Sequence, residues 1–361
     1  MRKFLALIVA FAAVLGLAAC GGKKSDIVLI TDKGDITDRS FNQGAYEGVK
    51  AFGKEHKVSY NYIKPTEADT EHYISAIEKA IKDGAKVIVT PGYLFEAPIN
   101  AVQKEHPDIK FIILDGSPAN AENGTLESNV YSVFYAEEQS GFLAGYAAVM
   151  EGYRKLGFMG GLAVPAVQRF GHGYVQGAAV AAAELNLDAA AIEIQYLYTG
   201  DFAATPEVQT AAAAMYQNGV EVIFACGGAV GQSVMTAAES ANKKVIGVDV
   251  DQYADSPTVI TSAMKNLSVS VVQALEAIYK TDTWAALGGT SVILDAKAQG
   301  VSLPMKNSKF ETFTQAQYDA ILAKLVAGTQ VVSTTIGEFG DSGDAAKQFE
   351  TEHVKVTVIP F

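Results

Sequence analysis

Short runs rich in Val, Ile, Phe and Tyr alternate along this chain with longer amphipathic stretches, and no other feature limits the fold as much. The runs occupy 26–31, 58–63, 86–90, 110–115 and 129–134, then 155–160, 192–198, 220–226, 244–249 and 258–262. Their apolar residues are nearly continuous rather than alternating, the pattern of strands buried on both faces of a parallel sheet. Between them, 71–83 sets Ile74, Ile77 and Ile81 at helical spacing. Stretches 207–218 and 231–242 are alanine-rich and favour helix. Such alternation gives an α/β protein whose parallel strands are joined by right-handed crossovers. The runs form two successive series, one before about residue 131 and one after about 150, with no Pro- or Gly-rich linker between them. The expectation is two doubly wound lobes with parallel sheets, joined by a hinge rather than a tether.

The first twenty residues belong to neither series. Arg2 and Lys3 open the chain, and Phe4 to Ala19 form an uncharged apolar run. A membrane span needs ~20 apolar residues, so this shorter run suits an export signal. Leu17-Ala18-Ala19-Cys20 then resembles the lipobox of bacterial lipoproteins, in which the cysteine is acylated and becomes the mature N-terminus. On this reading 1–19 is a signal peptide, Cys20 carries the lipid, and 20–25 is a polar, flexible tether. The bland alternative is an ordinary signal peptide with a chance cysteine. The expected location is the cell membrane, lipid-anchored and extracytoplasmic.

Composition closes several other routes. Apart from Cys20 the chain holds one cysteine, Cys226, which excludes an internal disulfide and paired-cysteine zinc sites. The formal net charge is −12, and no dense Lys/Arg block occurs. That argues against nucleic acid, whose binding rests on cationic neutralisation of phosphates, and against peripheral binding to anionic lipid. The five histidines are scattered without metalloprotease spacing, and neither a Walker loop nor G-x-S-x-G is present. No cofactor, metal or catalytic residue is expected.

Open parallel sheets bind ligands outside the carboxyl ends of their strands, so the residues that follow each run carry the functional reading. After the first run comes Asp32-Lys33-Gly34-Asp35-Ile36-Thr37-Asp38, leading into Phe41-Asn42. Thr37 or Asp38 can cap the helix that starts near Arg39. Capping leaves Phe41-Asn42 unexplained, and a ring beside an amide can stack on and hydrogen-bond a planar ligand. Later ends carry Pro91-Gly92-Tyr93, Asp115-Gly116-Ser117, Thr199-Gly200-Asp201-Phe202, Gly227-Gly228 and Asp249. A crevice between two lobes would collect Asp32, Asp115, Asp249, Phe41 and Phe202.

At this point the chain resembles a known family. The string from Asp35 to Gln43, Asp-Ile-Thr-Asp-Arg-Ser-Phe-Asn-Gln, is similar to the motif near the start of basic membrane protein (BMP) family lipoproteins, which include PnrA-like purine nucleoside receptors. The run ending at Asp115, the turn Thr199–Phe202, the run from Gly247 to Gln252 and the string Ser262–Asn266 agree in order and spacing. The resemblance covers essentially the whole mature chain. It implies a type I periplasmic-binding-protein fold with an N-terminal lobe of 26–131 plus 266–290 and a C-terminal lobe of 132–265 plus 291–361. It also implies an ABC transporter substrate-binding protein that holds a purine nucleoside in its interlobe cleft and delivers it to an ABC transporter permease. Carried over, Phe41 and Phe202 sandwich the base, with Phe170 as the competitor for the second ring. Asp32, Asn42 and Asp115 take the base edge. Asp249 and Lys265 take the ribose hydroxyls, with backbone N–H groups of Gly227 or Gly228 nearby.

Two other readings stay open on residues alone. A sugar or autoinducer receptor of the same fold would use aromatic and carboxylate groups in much the same way. A nucleoside hydrolase would gather Asp32, Asp35 and Asp38 around calcium, but calcium typically takes ~6–8 oxygen ligands, and no second acidic cluster completes a shell. Gly171-His172-Gly173 with Gly177 hints at a dinucleotide loop, but no strand precedes it.

Overall fold

The computed structural model describes residues 24–361, so the proposed signal peptide and Cys20 lie outside the described residues. The chain first lays down β1 (Ile27–Ile30), α1 (Phe41–His56), β2 (Tyr60–Ile63), α2 (Thr70–Lys82), β3 (Val87–Pro91), α3 (Glu96–Val102), β4 (Lys110–Leu114) and β5 (Val130–Tyr135). It continues through α4 (Glu137–Glu151), β6 (Lys155–Gly160), α5 (Pro165–Glu184), β7 (Ile192–Tyr198), α6 (Pro206–Gln217), β8 (Val222–Cys226), α7 (Val230–Ala241), β9 (Lys244–Asp249) and β10 (Val259–Lys265). The remaining elements are α8 (Leu267–Tyr279), β11 (Thr290–Leu294), β12 (Val301–Ser302), α9 (Gln315–Val326) and β13 (Val354–Val358).

Each of the ten apolar runs forms a strand. Three further strands, β11, β12 and β13, had no counterpart in the pattern. All three close sheet edges. β13 alternates buried and exposed residues, β11 is largely exposed, and β12 is two residues long, so none gives the continuous apolar signal of a central strand.

The strands form two sheets, ordered β11-β5-β4-β3-β1-β2 and β12-β10-β9-β8-β6-β7-β13. Every pairing is parallel except β12 against β10. Both lobes therefore reverse strand direction of travel at an equivalent point, between β1 and β3 in one and between β6 and β8 in the other. That is where doubly wound sheets open a crevice. The chain passes between sheets after Tyr135, after Lys265 and after Leu294. Since β5 ends at Tyr135 and β11 lies wholly in the first sheet, we place the lobe boundaries a few residues beyond 131 and 290.

The second lobe is organised around α4 against α5. Gly141 and Gly145 on α4 and Gly173 and Gly177 on α5 lie where a Cβ would overlap a carbonyl of the facing helix. Gly171 of the suspected dinucleotide loop makes room for Tyr196 and Phe158, while two glycines of that loop, Gly173 and Gly177, are thus a helix-packing device. It matters to the site because it sets Glu137, at the start of α4, beside Arg169, early in α5.

Candidate functional site

A cleft of about 850 Å³ lies between the lobes, and all nine residues expected in a site line it: Asp32, Phe41, Asn42, Asp115, Phe202, Gly227, Gly228, Asp249 and Lys265. Strand ends of both sheets supply most of them, and the first turn of α1 supplies Phe41 and Asn42. Asp32 lies just past β1, Asp115 directly after β4, Gly227 directly after β8, and Asp249 and Lys265 end β9 and β10. Asp115 and Asp249 adopt left-handed backbone, φ 54° and 65°, which Asp tolerates better than most residues.

The first-lobe wall is one hydrogen-bonded unit. Asn42 Nδ2 donates to Asp32 Oδ1 at 2.8 Å and to Asp38 Oδ2 at 2.9 Å, while its Oδ1 accepts the Asp32 N–H at 3.2 Å. Both amide hydrogens of Asn42 are therefore committed within the protein. In this geometry Asn42 fixes the Asp32 carboxylate in place. Asp38 accepts N–H groups of Asn42 at 2.9 Å and Gln43 at 3.1 Å, so it caps α1. Burial pushes the Asp32 carboxyl up to about 6, against the hydrogen bonds from Gly34 and Asn42 that pull it down. Asp35 pairs instead with Lys64 at 2.9 Å. The three aspartates thus do three separate jobs and do not form a calcium cluster.

The deep end is a buried charge network centred on Lys265. Its ammonium lies 2.5 Å from Asp115, 3.4 Å from Asp249 and 3.8 Å from Glu137. It also stands 4.4 Å above the Phe41 ring and 5.4 Å from that of Phe170. Burial disfavours the ammonium, yet the three carboxylates outweigh it and hold Lys265 protonated above its ordinary range. Asp115 is raised by burial although Lys265 opposes the rise. The expectation grouped Asp115 with Asp32 and Asn42, whereas the geometry groups it with Lys265 and Asp249. Its Oδ1 is buried and accepts no hydrogen bond among the described residues.

The second-lobe wall carries Phe202, half-buried against the backbone of Gly161, where a side chain would collide with the ring. Asp201 Oδ1 accepts the N–H groups of Phe202 at 2.6 Å and Ala203 at 3.1 Å, fixing this turn. Its Oδ2 takes Lys33 of the other lobe at 2.6 Å. The competitor Phe170 is 1% exposed and packs edge-on to Phe224, so its ring belongs mainly to the core. Gly228, at φ 56°, turns the chain into α7.

Several residues escaped the sequence reading. Glu137 is fully buried, receives Arg169 Nε at 2.7 Å, and leaves Oε1 without a hydrogen-bond donor. Acidic residues at a helix start usually complement its dipole, so nothing local marks this one as the partner of Lys265. Ser40 donates to Asp249 across the cleft. Tyr93, which the sequence reading placed after the third run, lines the cleft near Asp32. Among the described residues the group that could hold a metal is Glu78, Glu105 and His106, none of which lines the cleft.

This arrangement can be set beside known proteins. The model of the Bmp family, described as ABC transporter substrate-binding protein PnrA-like, matches residues 25–334. The chain belongs to the Bmp family of PnrA-like ABC transporter substrate-binding proteins. This Bmp-family chain is 31% identical over 354 residues to the ABC transporter nucleoside-binding protein BmpA of Lactococcus lactis, covering 88% of this chain and 96% of that one. It is also 31% identical over 337 residues to basic membrane protein A1 of Borrelia garinii, covering 90% and 94%. Among solved structures, a solute-binding protein of an ABC transporter system from Conexibacter woesei superposes with TM-score 0.69 at 24% identity, covering 87% of this chain and all of that one. One from Aeropyrum pernix gives 0.68 at 23% identity, covering 90% and 84%. The fold is thus the type I periplasmic-binding fold, and the family's members are substrate-binding proteins rather than enzymes. Among the described residues of this Bmp-family protein, no helix is long and apolar enough to cross a membrane.

Proposed function

We propose that this Bmp-family protein is a lipid-anchored receptor that captures nucleosides, purine nucleosides foremost, and passes them to an ABC transporter permease at the extracytoplasmic face of the cell membrane. The observation that carries the reading is the pair of half-buried rings, Phe41 and Phe202, on facing lobes of one cleft with carboxylates at both ends. Stacking contributes ~1–3 kcal/mol per base–ring contact. Lys265 covers one face of Phe41, leaving the other for a base. Asp32, held by Asn42, accepts from N–H groups on the base edge. Asp249 and Lys265, with the open acceptor of Asp115 beside them, take the ribose. A charged hydrogen bond contributes ~1.5–3 kcal/mol net. The acidic lining disfavours phosphate, which favours a nucleoside over a nucleotide.

The nucleoside-binding name of the Lactococcus lactis relative supports the substrate class, and the leader with Cys20 supports the anchor. Contacts from both lobes favour the closed form, and that shape is what a permease would read. The test is calorimetric titration of the chain from Lys24 onward, unfolded and refolded to remove carried-over ligand. Adenosine, guanosine, inosine, uridine, cytidine, ribose and glucose are compared, with each mixture checked for products. Micromolar or tighter purine nucleoside binding without turnover supports the receptor. Binding of ribose or glucose alone would replace it with a sugar receptor, and released free base with a hydrolase. Phe41→Ala should weaken adenosine binding by ~1–3 kcal/mol in the same titration.

A further inference from the structure

We propose that the segment 333–341 is a clasp across the cleft mouth, and that Phe339 sets ligand residence time through Tyr93 of the opposite lobe. The segment runs without helix or strand along one face of α5. Side chains four residues apart on that face hold it. Gln168 Nε2 donates to the Glu338 carbonyl at 3.0 Å, and His172 Nδ1 donates to that of Thr335 at 2.9 Å. Gln176 Oε1 accepts the Ser333 N–H at 2.8 Å, and its Nε2 donates to the Ser333 carbonyl at 3.2 Å. Residues at i, i+4 and i+8 share a helix face, so α5 presents a polar ladder that fixes an extended strap. Burial lowers the pKa of His172, in keeping with a neutral ring whose Nδ1–H serves the strap.

What the strap carries is apolar. Ile336 and Phe339 line the cleft. Phe339 is 67% exposed, yet its ring centroid lies 6.1 Å from that of Tyr93 at an interplanar angle of 57°. Tyr93 follows β3 in the first lobe, while the strap is bound to α5 of the second. Hinge opening must therefore separate the two rings, and their attraction belongs to the closed form. A large exposed ring held on a fixed strap at the cleft rim has a use if it closes that rim. Phe339 lies beyond the residues 25–334 matched by the family model, so the family assignment does not account for it.

The test uses the full chain and compares wild type, Phe339→Ala, Tyr93→Ala and the double variant. With adenosine as probe, an arm that rests on the proposed nucleoside reading, stopped-flow kinetics give association and dissociation separately. The clasp requires dissociation to speed up by about 2- to 10-fold in Phe339→Ala, the range an aromatic pair supplies, with association unchanged. It also requires Phe339→Ala to have no further effect in the Tyr93→Ala background. Unchanged dissociation, or additive effects of the two substitutions, would overturn it. A second arm needs no nucleoside. Spin labels on Lys50→Cys and Thr210→Cys, exposed positions on α1 and α6, report the lobe separation of the free protein. Phe339→Ala should shift that distribution toward the open form, and an unchanged distribution would sink the clasp. If wild type binds no adenosine while the distribution shifts, the nucleoside reading falls and the clasp stands.

Discussion

Asp32 faces the cleft from a unit in which Asn42 and the Gly34 N–H hold one of its oxygens, so its charge is fixed in place at a cost. In the folded chain the carboxyl keeps its proton up to about pH 6, against an ordinary value of 3.8. Between those values the native state binds more protons than the unfolded state, so stability falls as pH rises through that window. Two units correspond to ~3 kcal/mol, and solvent in the cleft screens this to ~1–2 kcal/mol. Asp32→Asn should therefore raise the melting temperature at about pH 7.5 and lose that advantage by about pH 4, as read by thermal unfolding across pH. Equal gains at both pH values would place the effect elsewhere. Glu137 is buried with two cationic neighbours, Arg169 and Lys265. Glu137→Ala strands Arg169 and removes the most distant of the three carboxylates around Lys265, and should cost ~3–5 kcal/mol in urea unfolding. Glu137→Gln keeps an acceptor for Arg169 and should cost clearly less.

Among the elements, α4 and α5 bear most directly on the site. Their approach depends on glycines at facing positions, since a methyl at Gly173 would overlap the Glu138 carbonyl. Backbone cannot yield as a side-chain tip can, so Gly173→Ala should destabilise by at least the ~1–3 kcal/mol typical of overpacking. The same shift would separate Arg169 from Glu137. Urea unfolding measures the first effect, and a loss below about 0.5 kcal/mol would mean that the helices can part freely. The strand ends behave differently. They hold their side chains by register within each sheet, with β8 paired to β6 as far as Cys226 and β9 paired to β10 as far as Asp249, so the aspartates and glycines there are placed by the sheet itself.

At the scale of the whole molecule, the two lobes meet through contacts spread along the cleft. Lys33 pairs with Asp201, Gln252 Nε2 donates to the Arg39 carbonyl at 2.7 Å, and Ser40 donates to Asp249. Exposed ion pairs such as Lys33–Asp201 contribute only ~0–1 kcal/mol, so these contacts leave room for a ligand to decide the balance. A nucleoside at ~100 times its dissociation constant adds ~2.7 kcal/mol to the stability of the form that binds it. Calorimetric unfolding with adenosine should raise the transition of both lobes together. A rise confined to one of two transitions would mean that a single lobe holds the nucleoside.

The sequence alone determined ten strands, nine of them central and β2 at the edge of the first sheet, together with the two-lobe plan and the chemistry at the strand ends. Continuous apolar runs report burial on both faces directly, and a residue one step past a buried strand has few places to go. Tertiary structure decided the rest. Edge strands β11 and β13 are half-solvated, so their residues carry no continuous apolar signal. Asn42 reads as an open amide until Asp38, four residues earlier, is seen to share it with Asp32. Glu137 looks like a helix-start acid until Lys265, more than a hundred residues away, is packed against it. Local pattern fixes which residues reach the cleft; which of them remain free there depends on neighbours that only the folded chain brings within hydrogen-bond range.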